Sequence, residues 1–167
     1  MDPRHAARLS TTPLARDALA PEPATLAHWE RTLQRANAAL HMDQPVMALA
    51  YQQQALVLAL RIVQAPPAGR EDDCIAALVV SHLNLADLQA EAGVLEASAQ
   101  LLCSVHATLL GLMADGSQGT ALQQAAWRHS RETHAALLRH VLAHGSHPDI
   151  AAVLAAATGV LQTPTAH

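Results

Sequence analysis

The sequence predicts an all-α protein of three stacked antiparallel helical hairpins, and three observations carry that prediction. Residues of the AVILMFWYC set make up 51% of 167 positions, yet Phe is absent and the aromatics are Trp29, Tyr51 and Trp127, so the core must be Ala, Leu and Val. Ala and Leu are strong helix formers, whereas strands draw on β-branched and aromatic side chains. Apolar residues recur every three or four positions, the period of one helix face. Tight turns at Asp43, Gly93 and Gly145 alternate with longer loops at 66–69 and 115–119, so like features recur about every 50 residues.

Residues 1–24 read as a flexible leader, a polar segment punctuated by Pro3, Pro13, Pro21 and Pro23. A single helical-repeat domain follows over 25–162. Its first helix runs from Thr25 to about His41, with Leu26, Trp29, Leu33, Ala36 and Leu40 as the core-facing stripe. Asp43 is placed to cap the second helix, Pro45 fits its first turn, and Met42 and Met47 are spaced for a hydrophobic staple. That helix continues to about Val63 and stops at Pro66-Pro67-Ala68-Gly69. Glu71, Asp72 and Asp73 suit the start of a third helix, which runs through Leu78, Leu85 and Leu88 to Gly93. A fourth spans about Leu95 to Met113, before a loop at 115–119. The fifth occupies about Ala121 to Ala143 and stops at Gly145. Ser146, Pro148 and Asp149 then supply a cap, an early proline and an acid for a sixth helix from about His147 to Leu161, leaving 163–167 as a tail.

The hairpins therefore cover about 25–65, 70–114 and 120–162, and each must stack on its neighbours to bury its apolar face. An irregular six-helix bundle is the alternative. Leu85-Ala86, Gly93, Leu95, Ser98 and Leu102 in the middle unit resemble the tetratricopeptide pattern of small and bulky residues about a turn glycine. The first unit offers Ala36, Asp43 in place of the glycine, Ala48 and Ala55; the third keeps Gly145 but has the bulky Leu138 at a small position. The chain is thus similar to the tetratricopeptide family over about 25–160, with a unit lengthened from the usual ~34 residues. That resemblance implies a protein or peptide binder whose first helices line a groove. Carried over, the groove would comprise Leu33, Asn37, Leu40 and His41, then Val80, Leu83, Asp87 and Glu91, then Glu132, Arg139 and Leu142. Family members that grip a terminal carboxylate use paired Lys and Asn; here Lys is absent, and only Asn37 stands at a corresponding position.

Charge and motifs narrow the function. The net charge is −4 and the ten basic residues, all Arg, are scattered among carboxylates, so the basic stripe of a nucleic-acid binder is missing. Residues 1–24 lack the apolar run of a secretory signal, and later apolar runs are interrupted, as at Glu96, Gln100 and His106, so no membrane span and a cytoplasmic location are expected. Cys74 and Cys103 lie within helical patterns and without C-x-x-C spacing, as buried thiols. No Gly-rich phosphate loop, G-x-S-x-G elbow or H-E-x-x-H appears.

Eleven histidines offer one metal candidate: His140 and His144, one helical turn apart, with His147 from the next turn, which suit zinc, nickel or copper. Histidines in a last turn also suit the helix dipole without any metal. Cys103 and His106 are spaced as half a thiolate site, and Asp87 and Glu91 as a carboxylate pair or a partner contact. Trp29 and Tyr51 fit core stripes, whereas Trp127, followed by Arg128, His129, Arg131 and Glu132, suits a partly exposed contact. The expected function is a non-enzymatic interaction module without a cofactor, taking a protein or peptide partner or a second copy in a homodimer. A small transition-metal-binding protein is the alternative.

Overall fold

The computed structural model of the chain describes residues 22–160 and contains, within them, six helices and no strand. They are α1 (Leu26–His41), α2 (Pro45–Gln64), α3 (Glu71–Glu91), α4 (Leu95–Ala114), α5 (Thr120–His144) and α6 (Pro148–Val160). The all-α expectation stands. The segment expected as a leader up to residue 21 and the tail at 163–167 lie outside the described residues. Glu22 ion-pairs with Arg31 and with His28 at 3.5 Å, and Ala24 packs against the core. Thr25 caps α1, its hydroxyl oxygen accepting the His28 amide at 3.1 Å.

Two tight turns are built alike. Asp43 and Gln44 donate their amides to the Leu40 and Ala39 carbonyls at 3.1 and 2.9 Å, and Gly93 and Val94 donate theirs to Ala90 and Gln89 at 2.9 and 2.8 Å. This double closure puts the residue after the helix cap in the left-handed region: φ is +54° at Asp43 and +78° at Gly93. Asp43 therefore ends α1 and does not cap α2. The cap position of α2 is Gln44, whose side chain makes no capping bond, and the proposed staple pair Met42 and Met47 is 61% and 45% exposed. The reason is that backbone closure already sets the chain direction at this turn. A Cβ on Gly93 meets no atom within 4 Å, so Gly93→Ala is expected to lower stability through backbone strain alone, by about 1–2 kcal/mol. Asp43→Gly is expected to raise it by about 0.5–1 kcal/mol, and urea melts of the two variants check both signs.

The third turn differs. Gly145 has φ +94° and ψ 177°, outside the left-handed helical well. Beyond it His147, rather than Ser146, stands at the start of α6: its carbonyl accepts the Ala151 amide at 3.0 Å and its Nδ1 the Asp149 amide at 3.3 Å. Helix α6 then packs chiefly on α4 and only lightly on α5, its own predicted hairpin partner. Ile150 is fully buried there with Leu102, Cys103 and Leu137.

Helix α3 is the hub. It packs on α1, α2, α4 and α5, and among the described residues the backbones of α1 and α2 come close only to each other and to α3. Leu58 and Ile62 of α2, Ile75 and Leu78 of α3, Leu109 of α4 and Leu122 of α5 form the larger core. Alanines at zero exposure, among them Ala36, Ala55, Ala77, Ala99 and Ala125, keep these helices close, as the composition requires. By length and composition α2 and α4 could each cross a membrane; here α2 packs on α1 and α3, and α4 on α3, α5 and α6. The loop before α5 is held by Asp115, whose carboxylate accepts from the Ser117 hydroxyl and amide and from Gln118, and is thereby lowered to about 2.

Candidate functional site

Helices α1, α3 and α5 position two clefts that meet at one residue. The first, of about 170 Å³, is lined by Asn37 and Leu40 of α1, Gln52 of α2, and Asn84, Asp87, Leu88 and Glu91 of α3. The second, of about 200 Å³, lies between α3, α4 and α5, with Leu83 and Asp87 on one side, Ser98 and Leu102 beneath, and Arg139, His140 and His144 opposite. Asp87 lines both, so the two clefts adjoin at that residue. One half carries carboxylates and carboxamides; the other carries a guanidinium and imidazoles.

Of the groove residues expected from the sequence, Asn37, Leu40, Leu83, Asp87, Glu91 and Arg139 line the clefts. Leu33 is half-buried outside them, and His41 is exposed, its Nδ1 bonded to the Asn37 carbonyl at 2.7 Å. Glu132 sits 3.9 Å from the His129 ring, and Leu142 is 86% exposed. Most of the other lining residues were not anticipated for the groove, the carboxamides Asn84 and Gln52 among them. Asn84 lies one helical turn before Asp87, a spacing that could have flagged it; Gln52 opens a run of three glutamines that the sequence does not distinguish.

The histidine cluster divides. His140 is buried with Nδ1 3.4 Å from the Ser98 hydroxyl, its ring 4.8 Å from that of exposed His144. Burial lowers its pKa, and the neighbouring His144 and His147 add to that. His147 instead contacts the Glu96 carboxylate through Nε2 at 2.9 Å. Glu96, His147 and Asp149 offer ligand atoms within 4.8 Å of one another, a group that does not include His140 or His144. The Nδ1 of His147 accepts the Asp149 amide at 3.3 Å, and its Nε2 faces Glu96.

Buried His106 donates from Nδ1 to the Thr133 hydroxyl at 2.7 Å, because that hydroxyl gives its own proton to the Ser130 carbonyl at 3.0 Å. Its Nε2 is buried without a partner, and burial lowers its pKa, with His134 pushing the same way. Burial also raises the Cys103 thiol, aided by Asp149 and Glu96. Both shifts favour the uncharged forms of the two groups. Trp29 is half-buried and donates its indole N–H to Ser81 at 2.8 Å, tying α1 to α3. Trp127 is 49% exposed under the Arg131 guanidinium, 4.5 Å from the ring centre.

No curated protein and no solved structure matches the chain. A family model described as a protein of unknown function, DUF2753, matches residues 27–166. With most of its length so matched, the chain belongs to the DUF2753 family.

Proposed function

We propose that the protein is a non-enzymatic interaction module, a short tetratricopeptide-like stack of helical hairpins that docks a segment of another polypeptide across α1, α3 and α5. The observation that carries this reading is that the two clefts adjoin at Asp87, which brings lining residues of α1, α3 and α5 next to one another. Each cleft is smaller than the ~300 Å³ at which sites for drug-sized ligands and cofactors begin, so the groove suits successive side chains of a peptide. Stacking is supported by the chain of neighbours: α1 and α2 reach the rest only through α3, whereas a closed bundle would return its ends to one another. Self-association belongs to the same reading, since Val46, Met47, Val57 and Leu60 leave apolar surface exposed on α2.

Site-specific photo-crosslinking in the protein's own host tests the reading. A photoreactive residue placed at Asn37, Asp87 or Arg139 should give adducts with the same polypeptide, and one at Val57, on α2, should not. Asp87→Arg should then weaken binding of that partner at least about tenfold, or ~1.4 kcal/mol. Adducts formed only with a second copy would make the module a homo-oligomer. The absence of any groove-specific adduct would remove the proposal.

A further inference from the structure

We infer that the imidazoles of His140 and His144, which line the cleft between α3, α4 and α5, form a binding site for one divalent ion of the nickel, copper and zinc group. This goes beyond the docking reading and does not depend on it. Of the eleven histidines these two are the only pair four positions apart, the spacing that sets side chains one above the other on a helix face. Their ring centroids are 4.8 Å apart, with the planes at 55°. A metal held at ~2.0–2.1 Å by an imidazole nitrogen stands about 3.2 Å from the ring centroid. Two rings sharing one ion at an angle of ~90–109° therefore have centroids roughly 4.5–5.2 Å apart. The pair is already spaced for chelation.

The inner ligand is buried yet reachable. His140 is 7% exposed, and its Nδ1 faces the Ser98 hydroxyl at 3.4 Å. Its Nε2 has no partner among the described residues. The unpartnered side-chain atoms that are sealed from solvent there are Gln52 Oε1 and His106 Nε2, so the free nitrogen of His140 meets solvent, and the cleft is what His140 lines. With Nδ1–H donated to Ser98, the lone pair stands on Nε2, and a partner on the other ring nitrogen is the usual way a metal-bound imidazole is oriented. Burial holds His140 below the ordinary imidazole pKa, so the neutral ring with its lone pair prevails at neutral pH. His144 is exposed and makes no hydrogen bond or ion pair among the described residues.

The surroundings admit a cation. Asp87 lines the same cleft from α3 and offsets the charge of Arg139, so with both imidazoles neutral the lining carries no excess of positive charge. Imidazole nitrogens suit nickel, copper and zinc, whereas magnesium and calcium take oxygen ligands. Two protein ligands leave the remaining positions of the ion to water in the cleft. The other close ring pair does not match: His106 and His134 stand 5.8 Å apart, and His106 Nε2 is sealed. Glu96, His147 and Asp149 also bring ligand atoms within 4.8 Å of one another, but Glu96 is engaged on both oxygens, by Gln100 at 2.8 Å and His147 at 2.9 Å.

The test uses the full chain without a histidine tag. Zn²⁺ titrated by calorimetry should fill one site, and in the ¹⁵N-labelled chain the ring nitrogen signals of His140 and His144 should shift together. His144→Gln, at an exposed position where the fold is not at stake, should weaken binding at least about tenfold. His144→Cys should retain it, because a thiolate is also a zinc ligand, and His147→Gln should leave it unchanged. Substoichiometric Cu²⁺ should show nitrogen hyperfine splitting from two imidazoles in the wild type and from one in His144→Gln. Binding lost in His147→Gln but kept in His144→Gln would move the ion to Glu96 and overturn the inference. Zn²⁺ that binds every variant alike, or shifts the exposed His41 as much as His140, is an adventitious ion only and overturns it too. So does the absence of binding below about 1 mM. None of these results bears on whether the clefts dock a polypeptide, which the photo-crosslinking decides.

Discussion

Leu78→Ala is expected to lower the unfolding free energy by about 3–5 kcal/mol. That is a large part of the ~5–15 kcal/mol typical of a folded domain. Leu78 has no exposure and sits on α3, the helix through which α1 and α2 are attached to everything else. Its surroundings include Ala59, Ala77 and Ala125, whose short side chains cannot swing into the vacated space, so the cavity stays open. The same substitution at Leu142, which is 86% exposed, is expected to change stability by no more than about 0.5 kcal/mol. Chemical denaturation of the two variants compares them directly, and equal losses would remove α3 from its role as hub.

Acidification below pH 6.5 is expected to destabilise the fold, by up to about 1.4 kcal/mol per pH unit for each buried histidine whose pKa lies lower in the folded chain. His82, His106 and His140 are such residues, all lowered chiefly by burial. His82 donates from Nδ1 to the Leu78 carbonyl at 2.8 Å, a bond that raises its pKa but by less than burial lowers it. In the unfolded chain these imidazoles take protons near 6.5; in the folded chain they do so only at lower pH. Between the two values the unfolded state binds more protons, so stability falls as pH falls. Above 6.5 these groups have no effect, and below their folded values the loss is complete. His140, which lines a cleft open to water, contributes less than His82 and His106. Thermal melts from pH 8 to pH 5 should show a falling midpoint, with a shallower fall for His106→Leu, which removes one titrating group and its orphaned Nε2. A flat profile would mean that the three rings meet solvent.

Helix positions were legible from local chemistry. Thr25 before a capped stripe, Gly93 after a last turn and the prolines at 45 and 148 act within a few residues of themselves, and the helices begin and end beside them. Where two local signals competed at one turn, the sequence reading failed. Asp43 suits both a helix start and a left-handed helix end, and the backbone bonds of Gln44 and Asp43 into α1 decided for the second. The partner of α6 was likewise out of reach, because three connector residues limit how far the chain travels but not the direction in which Gly145 turns it.

By itself the sequence determined the helical class and an alanine-rich core, and it named six of the residues that line the two clefts, because propensity, period and turn chemistry are properties of neighbouring residues. It also placed Asp87 and Glu91 one turn apart. Only the tertiary structure decided that Gln52, and not the exposed Gln53 or Gln54, is buried beside those carboxylates. It alone decided that His147 meets Glu96, and that Leu78 is buried while Leu142 is bare. The physical reason is that burial and pairing depend on which distant helix covers a given face, a choice set by the packing of all six helices together.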